Sequence, residues 1–422
     1  MRISLLVLVA AGALSCAQLA PTSRPAPIQD RATTSRPAPP AAPTGAAAVR
    51  ETPVPPPDSG ALTTPLPPPT SIEPTPGSPF PSDAAPGAPP AFPPPGRATR
   101  PPPAATSLVA LILPLDVPAY SRAADAVRAG FLAAADAAGA RARCIVIGHK
   151  EDGVLAAFAE ASAKGVRVIV GPLLRDDLKT LALADPEIPW TVALNQIEDP
   201  AQLPPTVYSF GLAIEADARV LARRAQEDGV RSIDVIAGGS PLMQRFASTF
   251  ATEWVAGGGS LPSSFRFDPA PDALTQLRRN LARSAPDGVL LAVDGGNAAL
   301  VKSYTGTVTA YASGLVFERP DPAVIRDLNQ LRIVEIPWLV TPDAPEFAKF
   351  PRPEFGSAAL ERLYALGIDA FRVSQAFGAD PPAEFSLEGA TGTITLGTSR
   401  QFMREGRLAV YRDGRLLPLD PR

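Results

Sequence analysis

Histidine and cysteine are nearly missing from this chain of 422 residues, which has one histidine, His149, and two cysteines, Cys16 and Cys144. A Ser-His-Asp or Cys-His centre would have to be built on that single imidazole, and zinc sites of the Cys/His type need more ligands than the chain offers. The sequence also lacks a glycine-rich phosphate loop, a Gly-x-Ser-x-Gly elbow and a His-Glu-x-x-His pair. The composition therefore predicts a protein with no enzymatic activity, no metal and no cofactor.

An excess of charge and long hydrophobic runs are missing too. The formal net charge is -3, from 39 basic and 42 acidic residues, and this gives no reason to expect a nucleic-acid partner. No apolar run reaches the roughly 20 residues that a membrane-spanning helix needs. We therefore expect a protein that is anchored to a membrane rather than one that crosses it.

The anchor is predicted at the N-terminus. Arg2 precedes an apolar run over residues 3–14, and the small residue Ser15 stands directly before Cys16. This is the layout of a secretory signal that ends in a lipobox, with residues 1–15 cleaved and Cys16 acylated on its sulfur. Ala17 takes the place where an aspartate would retain the protein at the inner membrane, which favours the outer membrane. An ordinary signal peptide with a chance cysteine is the alternative.

A proline-rich stretch follows the anchor. Between Pro21 and Pro103 the chain carries 28 of its 52 prolines, mixed with alanine, threonine, serine and glycine. Proline fixes φ and removes hydrogen-bond donors, and so few large apolar side chains cannot offset the entropy cost of ordering the segment. Residues 16–106 are therefore predicted to form a disordered tether. A docking role for its repeated prolines is the less favoured alternative.

The remaining residues, 107–422, alternate apolar strands with amphipathic helices. Residues 108–113 form a continuous apolar run without polar alternation, which is typical of a strand buried on both faces. Cys144 lies in the next such run and is expected to be a buried free thiol. Two series of β-strand and α-helix units predict an α/β fold with two lobes, each a doubly wound, mainly parallel sheet. We assign residues 107–212 and 314–422 to the first lobe and residues 213–313 to the second.

Several segments match a known family in the same order. They are LILPL at 111–115, VRAGF at 127–131, VIVGPLL at 168–174, ALN at 193–195, YSFGL at 208–212, RLYALGIDA at 362–370 and LEGATG at 387–392. Together they resemble the LppC/LpoA-type penicillin-binding protein activators over essentially all of residues 107–422. The first segments occur in many type I periplasmic-binding-protein-like folds, whereas the last two are more specific.

The resemblance implies a function as well as a fold. Members of this family are outer-membrane lipoproteins, facing the periplasm, that stimulate a class A penicillin-binding protein in peptidoglycan synthesis through protein contact. The lipobox and the tether suit that role. One departure is that the best-known members carry an N-terminal helical-repeat domain, whose place is here taken by the proline-rich tether.

The runner-up is a lipid-anchored periplasmic protein that binds an amino-acid-like small molecule between its lobes. Ligands of open α/β sheets bind beyond the carboxyl ends of the strands. The candidate cleft residues at those positions are Pro114, Leu115, Gly171, Pro172, Leu173, Asn195, Ser240 and Asp294. The first-lobe positions are mostly nonpolar, which disfavours an amino-acid site, and Asp294 is equally well placed to cap a helix. His149 also follows a strand, but a surface or loop histidine is the favoured interpretation.

Overall fold

The fold was analysed in a computed structural model, which describes residues 108–184, 186–317, 326–397 and 399–419. The predicted signal peptide (residues 1–15), the lipidated Cys16 and the tether over residues 16–106 lie outside this range. In the part of the chain that is described, no helix is both long enough and apolar enough to span a membrane.

The first lobe is built on an eight-stranded sheet. Its strands are β1 (Val109–Leu113), β2 (Cys144–Gly148), β3 (Val168–Val170), β4 (Trp190–Ala193), β5 (Val207–Phe210), β11 (Ser386–Glu388), β12 (Thr393–Leu396) and β13 (Gln401–Glu405). Their order in the sheet is β11-β12-β13-β5-β4-β3-β1-β2. All neighbours from β13 to β2 are parallel, and β11 and β12 add an antiparallel edge.

The second lobe is built on a seven-stranded sheet. Its strands are β6 (Ile233–Ala237), β7 (Ser263–Arg266), β8 (Gly288–Ala292), β9 (Thr309–Ser313), β10 (Arg332–Glu335), β14 (Arg407–Arg412) and β15 (Arg415–Pro418). Their order is β15-β14-β10-β9-β8-β6-β7, with the antiparallel β14–β15 hairpin at one edge. The hairpin turns at Asp413 and Gly414, both with positive φ, as the Asp-Gly pair predicts.

Helices cover both faces of each sheet. They are α1 (Ser121–Ala137), α2 (Val154–Ala163), α3 (Arg175–Ala184), α4 (Ile214–Glu227), α5 (Pro241–Ala256), α6 (Pro271–Ser284), α7 (Gly295–Tyr304), α8 (Pro337–Val340) and α9 (Ala358–Ser374). In the first lobe α1 and α9 pack on one face and α2 and α3 on the other. In the second lobe α6 and α7 lie opposite α4 and α5. The predicted two-lobed, doubly wound α/β fold is thereby confirmed.

Close packing of α1 against α9 explains why two glycines stand inside these helices. A Cβ atom on Gly130 would collide with the carbonyl oxygen of Tyr364, and one on Gly367 would collide with that of Val127. The helix backbones therefore touch at this crossing, and any side chain would push them apart. Helix α9 is buried along almost its whole length, so this contact lies at the centre of the first lobe.

The predicted return of the chain to the first lobe at residue 314 is wrong. Strand β10 pairs with β9, and β14 pairs with β10, in the sheet of the second lobe, so parts of residues 314–422 belong to that lobe. Within the described residues the chain crosses between the lobes at three places: residues 211–213, Ile336 and Gly406. The sequence alone did not mark the last two crossings because each is a single residue between two elements.

Three local features also differ from what the sequence indicates. The mostly apolar run of residues 332–340 predicts one long strand, whereas β10 ends at Glu335 because Pro337 begins the short helix α8. The edge strands β7 and β11 were not predicted, since their exposed polar residues carry no apolar signal. Cys144 is half-buried rather than buried, and burial raises the pKa of its thiol.

Candidate functional site

A cleft of about 310 Å³ opens between the two lobes beside the first crossing. The first-lobe wall consists of Arg175, at the start of α3, and the loop of residues 194–198 that follows β4. The crossing at residues 211–213 forms its floor, and the second-lobe wall comes from the first residues of α4 and α5. The cleft therefore lies beyond the carboxyl ends of β4 and β5, where parallel sheets place their ligands.

Asn195 is the predicted cleft residue that lines this cavity. Its side-chain amide donates a hydrogen bond of 3.0 Å to the carbonyl oxygen of Leu173, and its Oδ1 accepts one of 2.9 Å from the backbone of Gln196. The amide nitrogen thus ties the loop after β4 to the loop after β3, and Oδ1 braces its own loop. Asn195 therefore shapes the wall of the cleft.

The other polar candidates are helix caps. The hydroxyl of Ser240 accepts a hydrogen bond from the backbone of Met243 at the start of α5, and Oδ1 of Asp294 accepts one from Asn297 at the start of α7. Both residues satisfy amide groups that the first turn of a helix leaves without partners. Neither is among the residues that line the cleft.

The first-lobe candidates form the loops at the ends of the strands. Among the described residues, Pro114, Leu115, Gly171, Pro172 and Leu173 do not line the cleft. Gly171 has φ +118°, and a Cβ atom there would collide with the carbonyl oxygen of Ile112. Leu173 is buried in the core of the first lobe. Their role in the structure is therefore close packing of loop and sheet.

Four charged residues that the sequence analysis missed line the cleft instead. On the first-lobe wall Arg175 donates to Glu198 at 3.1 Å, and on the second-lobe wall Nε of Arg245 donates to Glu215 at 3.0 Å. Each ion pair lies within one lobe and the two pairs line the same cavity. These residues come from separate segments, and each has the pattern of an ordinary surface charge.

A buried network of charges lies at the crossings between the lobes. Arg404 of β13 donates to both carboxylate oxygens of Asp217 on α4 at 2.8 Å. Arg362 of α9 contacts both oxygens of Glu335 on β10 at 2.6–3.1 Å and also donates to the carbonyl oxygen of Gly314. All four side chains line a narrow, mostly apolar cavity of about 50 Å³. Each pair joins one lobe to the other.

The network extends into the two sequence segments that were most specific for the family. Asp369 of α9 is fully buried and accepts hydrogen bonds from the backbone of Ala390 and from both the backbone and the hydroxyl of Thr391, at 2.7–2.9 Å. Burial raises the pKa of Asp369, although these donors partly oppose the shift. The carbonyl oxygen of Thr391 in turn accepts from Arg404 at 3.1 Å. The segments 362–370 and 387–392 therefore meet directly behind the junction of the lobes.

The histidine lies away from the cleft. His149 lies in the loop directly after β2, as the prediction of a surface or loop histidine allows, but it is buried there, with 4% exposure. Its Nε2 lies 3.5 Å from the carboxylate of Asp177 on α3. Burial raises the pKa of Asp177, and the imidazole opposes that shift. Among the described residues, no group of three or more histidine, cysteine, aspartate or glutamate side chains could hold a metal ion.

These features define a two-lobed protein of the periplasmic-binding-protein-like class, with a cleft beside a hinge of three chain crossings. The family model described as "LppC putative lipoprotein" matches residues 103–283 and 279–414. The chain therefore belongs to the LppC lipoprotein family.

Named relatives of the chain are penicillin-binding protein activators. The chain is 25% identical over 274 residues to the penicillin-binding protein activator LpoA of Haemophilus influenzae, a match that covers 62% of this chain and 47% of the relative. It is 28% identical over 279 residues to the LpoA of Mannheimia succiniciproducens, a match that covers 63% of this chain and 47% of the relative. The chain thus matches about half the length of these relatives.

Solved structures share the fold. The C-domain of Haemophilus influenzae LpoA, described as a regulator of PBP1A, superposes with a TM-score of 0.63 at 24% identity, covering 74% of this chain and all of that one. A Chromobacterium violaceum protein, provisionally described as a branched-chain amino acid ABC transporter, superposes with a TM-score of 0.64 at 33% identity. The match covers 72% of this chain and 99% of that one.

Proposed function

We propose that this protein is an outer-membrane lipoprotein, facing the periplasm, that activates a class A penicillin-binding protein in peptidoglycan synthesis. The observation that carries the proposal is the LppC match, which spans both lobes, together with relatives named as penicillin-binding protein activators. The action is non-enzymatic and works through protein contact. The catalytic chemistry belongs to the synthase.

The junction of the lobes supports a role as a binding surface. The Asp217–Arg404 and Glu335–Arg362 pairs connect the lobes through buried side chains, and breaking either pair would leave a buried charge without its partner. The lobes are therefore held in one arrangement, and a partner can contact both of them as a single surface. Such a surface loses little conformational freedom on binding.

The predicted anchor and tether complete the proposal. Lipidation at Cys16 would hold the chain at the outer membrane, and some 85 proline-rich residues at about 3.1 Å each would reach at most on the order of 250 Å. In this proposal the tether is the spacer towards the synthase, and the activating contact lies on the two lobes.

A second candidate function is ligand binding for a transporter. It is favoured by the structural match at 33% identity to the Chromobacterium violaceum protein and by the open cleft between the lobes. The two functions differ in what they require. An activator needs a synthase and a long tether, whereas a transporter's binding protein needs a permease and tolerates a short tether.

The test is a pulldown with the tagged full chain from detergent-solubilised membranes of its own organism, followed by a glycan-polymerisation assay. We expect a class A penicillin-binding protein to be retained, to be displaced by excess untagged chain, and to polymerise faster with the chain present. A variant that lacks residues 53–103 should still bind the solubilised synthase but should fail to support it in cells. Retention of a permease and no synthase would refute the proposal in favour of the second candidate.

A further inference from the structure

The single histidine has a hydrogen-bond acceptor beside each of its ring nitrogens. Nδ1 of His149 lies 3.0 Å from the carbonyl oxygen of Lys150, and Nε2 lies 3.5 Å from Oδ2 of Asp177. Because a carbonyl oxygen can only accept, Nδ1 carries a hydrogen. A neutral imidazole has one N–H, so its Nε2 would then face the carboxylate with a lone pair. The contact with Asp177 is therefore attractive only when the pair holds one further proton. Imidazole is the more basic of the two groups, which assigns that proton to Nε2.

The two facing atoms depend on each other. Among the described residues, no other group forms a hydrogen bond with Nε2 of His149 or with Oδ2 of Asp177, and the two side chains are only 2% and 13% exposed. Loss of the further proton would leave an ionised carboxylate opposite a lone pair. Burying polar groups without a donor is unfavourable, so the carboxylate would turn towards solvent.

The pair joins an edge of the first sheet to the start of α3. His149 follows the edge strand β2 and is fixed there, because its backbone N–H donates to the carbonyl oxygen of Leu113 at 3.0 Å and its own carbonyl accepts from Asp116 at 3.3 Å. Asp177 lies in the first turn of α3, two residues after Arg175, which lines the cleft. The start of α3 is therefore the side that can move, and it carries one wall of the cleft.

The surroundings of the pair favour the proton-bound state. Burial raises the pKa of Asp177, and Asp176 and Asp152 raise it further, whereas the imidazole opposes the shift. Helix α2, packed beside α3, has no charged residue in its first turn. The other elements around the pair carry four carboxylates and two ammonium groups: Asp116 after β1, Lys150, Glu151 and Asp152 on the histidine's own loop, and Asp176 and Lys179 on α3.

We propose that His149 and Asp177 form a proton-dependent link that holds the start of α3 against the first sheet. The link is closed while the pair holds its further proton and opens when that proton passes to solvent. Stability that depends on a proton bound in the folded state is present at low pH and is lost as the pH rises. The proposal rests on this pair and its packing, so it can fail without affecting the function proposed above.

The first test identifies the protonated ring nitrogens by NMR. The full chain, without a polyhistidine tag, is labelled with ¹⁵N-histidine, and His149 gives the signals because the chain has no second histidine. We expect both nitrogens to be protonated at about pH 5.5, and the neutral ring at about pH 8.5 to carry its hydrogen on Nδ1. The proposal is overturned if the charge of the ring is the same at both pH values. It is also overturned if the neutral ring carries its hydrogen on Nε2, because such a ring donates to Asp177 without a further proton.

The second test measures the release of α3 by hydrogen exchange and mass spectrometry at the same two pH values. Each exchange rate is divided by the rate of the unfolded sequence at that pH, and α6 in the second lobe serves as the internal reference. We expect the protection of α3 to fall at least about tenfold more than that of α6 as the pH rises, which corresponds to about one pH unit of proton linkage. An equal fall in both helices would refute a local link.

Variants separate the proton from the packing. In Asp177→Asn the amide can donate to the neutral ring, and its oxygen can accept from the charged one, so α3 should keep its protection at both pH values. The control is Lys179→Met, which removes an exposed ion pair with Asp176 on the same helix and should retain the wild-type response. If Asp177→Asn lost protection with rising pH as the wild type does, another group would cause the response and the proposal would be wrong.

Discussion

Arg404 and Asp217 join the two lobes through a buried pair of hydrogen bonds, from Nη2 of the arginine to both carboxylate oxygens at 2.8 Å. The arginine lies on the last strand of the first lobe and the aspartate on the first helix of the second. Arg404 also donates to the carbonyl oxygen of Thr391, which Asp369 holds in place. The geometry of the hinge therefore depends on side chains from four distant segments.

Removing one partner of this pair should destabilise the fold. We expect Arg404→Met to lower the free energy of unfolding by about 3 kcal/mol, because it leaves the Asp217 carboxylate buried without a counterion. The double variant Asp217→Leu with Arg404→Met should recover most of that loss, since no unpaired charge remains. Urea unfolding followed by tryptophan fluorescence measures both effects.

The control for this pair is Arg407→Met. Arg407 lies on β14, the next strand along the chain, is exposed and donates to the hydroxyl of Thr341, so its replacement should change the stability by about 0.5 kcal/mol or less. A double variant less stable than Arg404→Met alone would show that packing, rather than the lost counterion, sets the cost.

Asp217 should also make stability depend on pH. Burial raises its pKa to about 6 in the folded chain, although Arg404 opposes the shift, whereas the ordinary value is 3.8. Between these values the folded state holds more protons than the unfolded state, so stability is lost as the pH rises through 6. We expect the wild type to lose at most about 3 kcal/mol relative to Asp217→Asn between about pH 4 and about pH 7. If the difference in unfolding free energy between the wild type and Asp217→Asn stayed constant across this pH range, the pKa of Asp217 would not be raised in the folded chain.

Much of the fold could be predicted because its core elements have simple patterns. The run of residues 109–113 is apolar throughout because β1 lies between two layers of helices, and α9 has a broad apolar face because it is buried on nearly all sides. The edge strand β7 has no such pattern. Its residues are mostly exposed, so hydrophobicity carries no signal there.

The cleft could not be predicted in the same way. Rules for parallel sheets point to the loop after β4, and Asn195 of that loop lines the cavity, but the charged lining also depends on α3, α4 and α5. Which surface charges face a cleft depends on how two lobes are placed, and that placement follows from crossings as short as Ile336 and Gly406. Nothing in the local sequence distinguishes Arg245 from other helix-surface arginines.

Gly367 should be intolerant of any side chain. Gly367→Ala places a methyl group against the backbone of Val127, which cannot rotate away, so α1 and α9 must separate. We expect a loss of about 3 kcal/mol, the upper part of the usual cost of overpacking. Gly239→Ala is the matched control because its Cβ atom would meet open space, and it should not lower the midpoint of urea unfolding.

Asp294 allows a helix-capping role to be tested against a role in a binding site. Its carboxylate accepts from the backbone and the side-chain amide of Asn297, and it lies at the start of α7, away from the cleft lining. Asp294→Ala should therefore lower the free energy of unfolding by about 1 kcal/mol, as loss of a helix cap does. Asp294→Ser should keep most of the wild-type stability, because serine also caps helices. Urea unfolding followed by tryptophan fluorescence measures both effects. If Asp294→Ala instead left the unfolding midpoint in place, the carboxylate would not act as a helix cap, and the binding role that its position after β8 first suggested would be favoured.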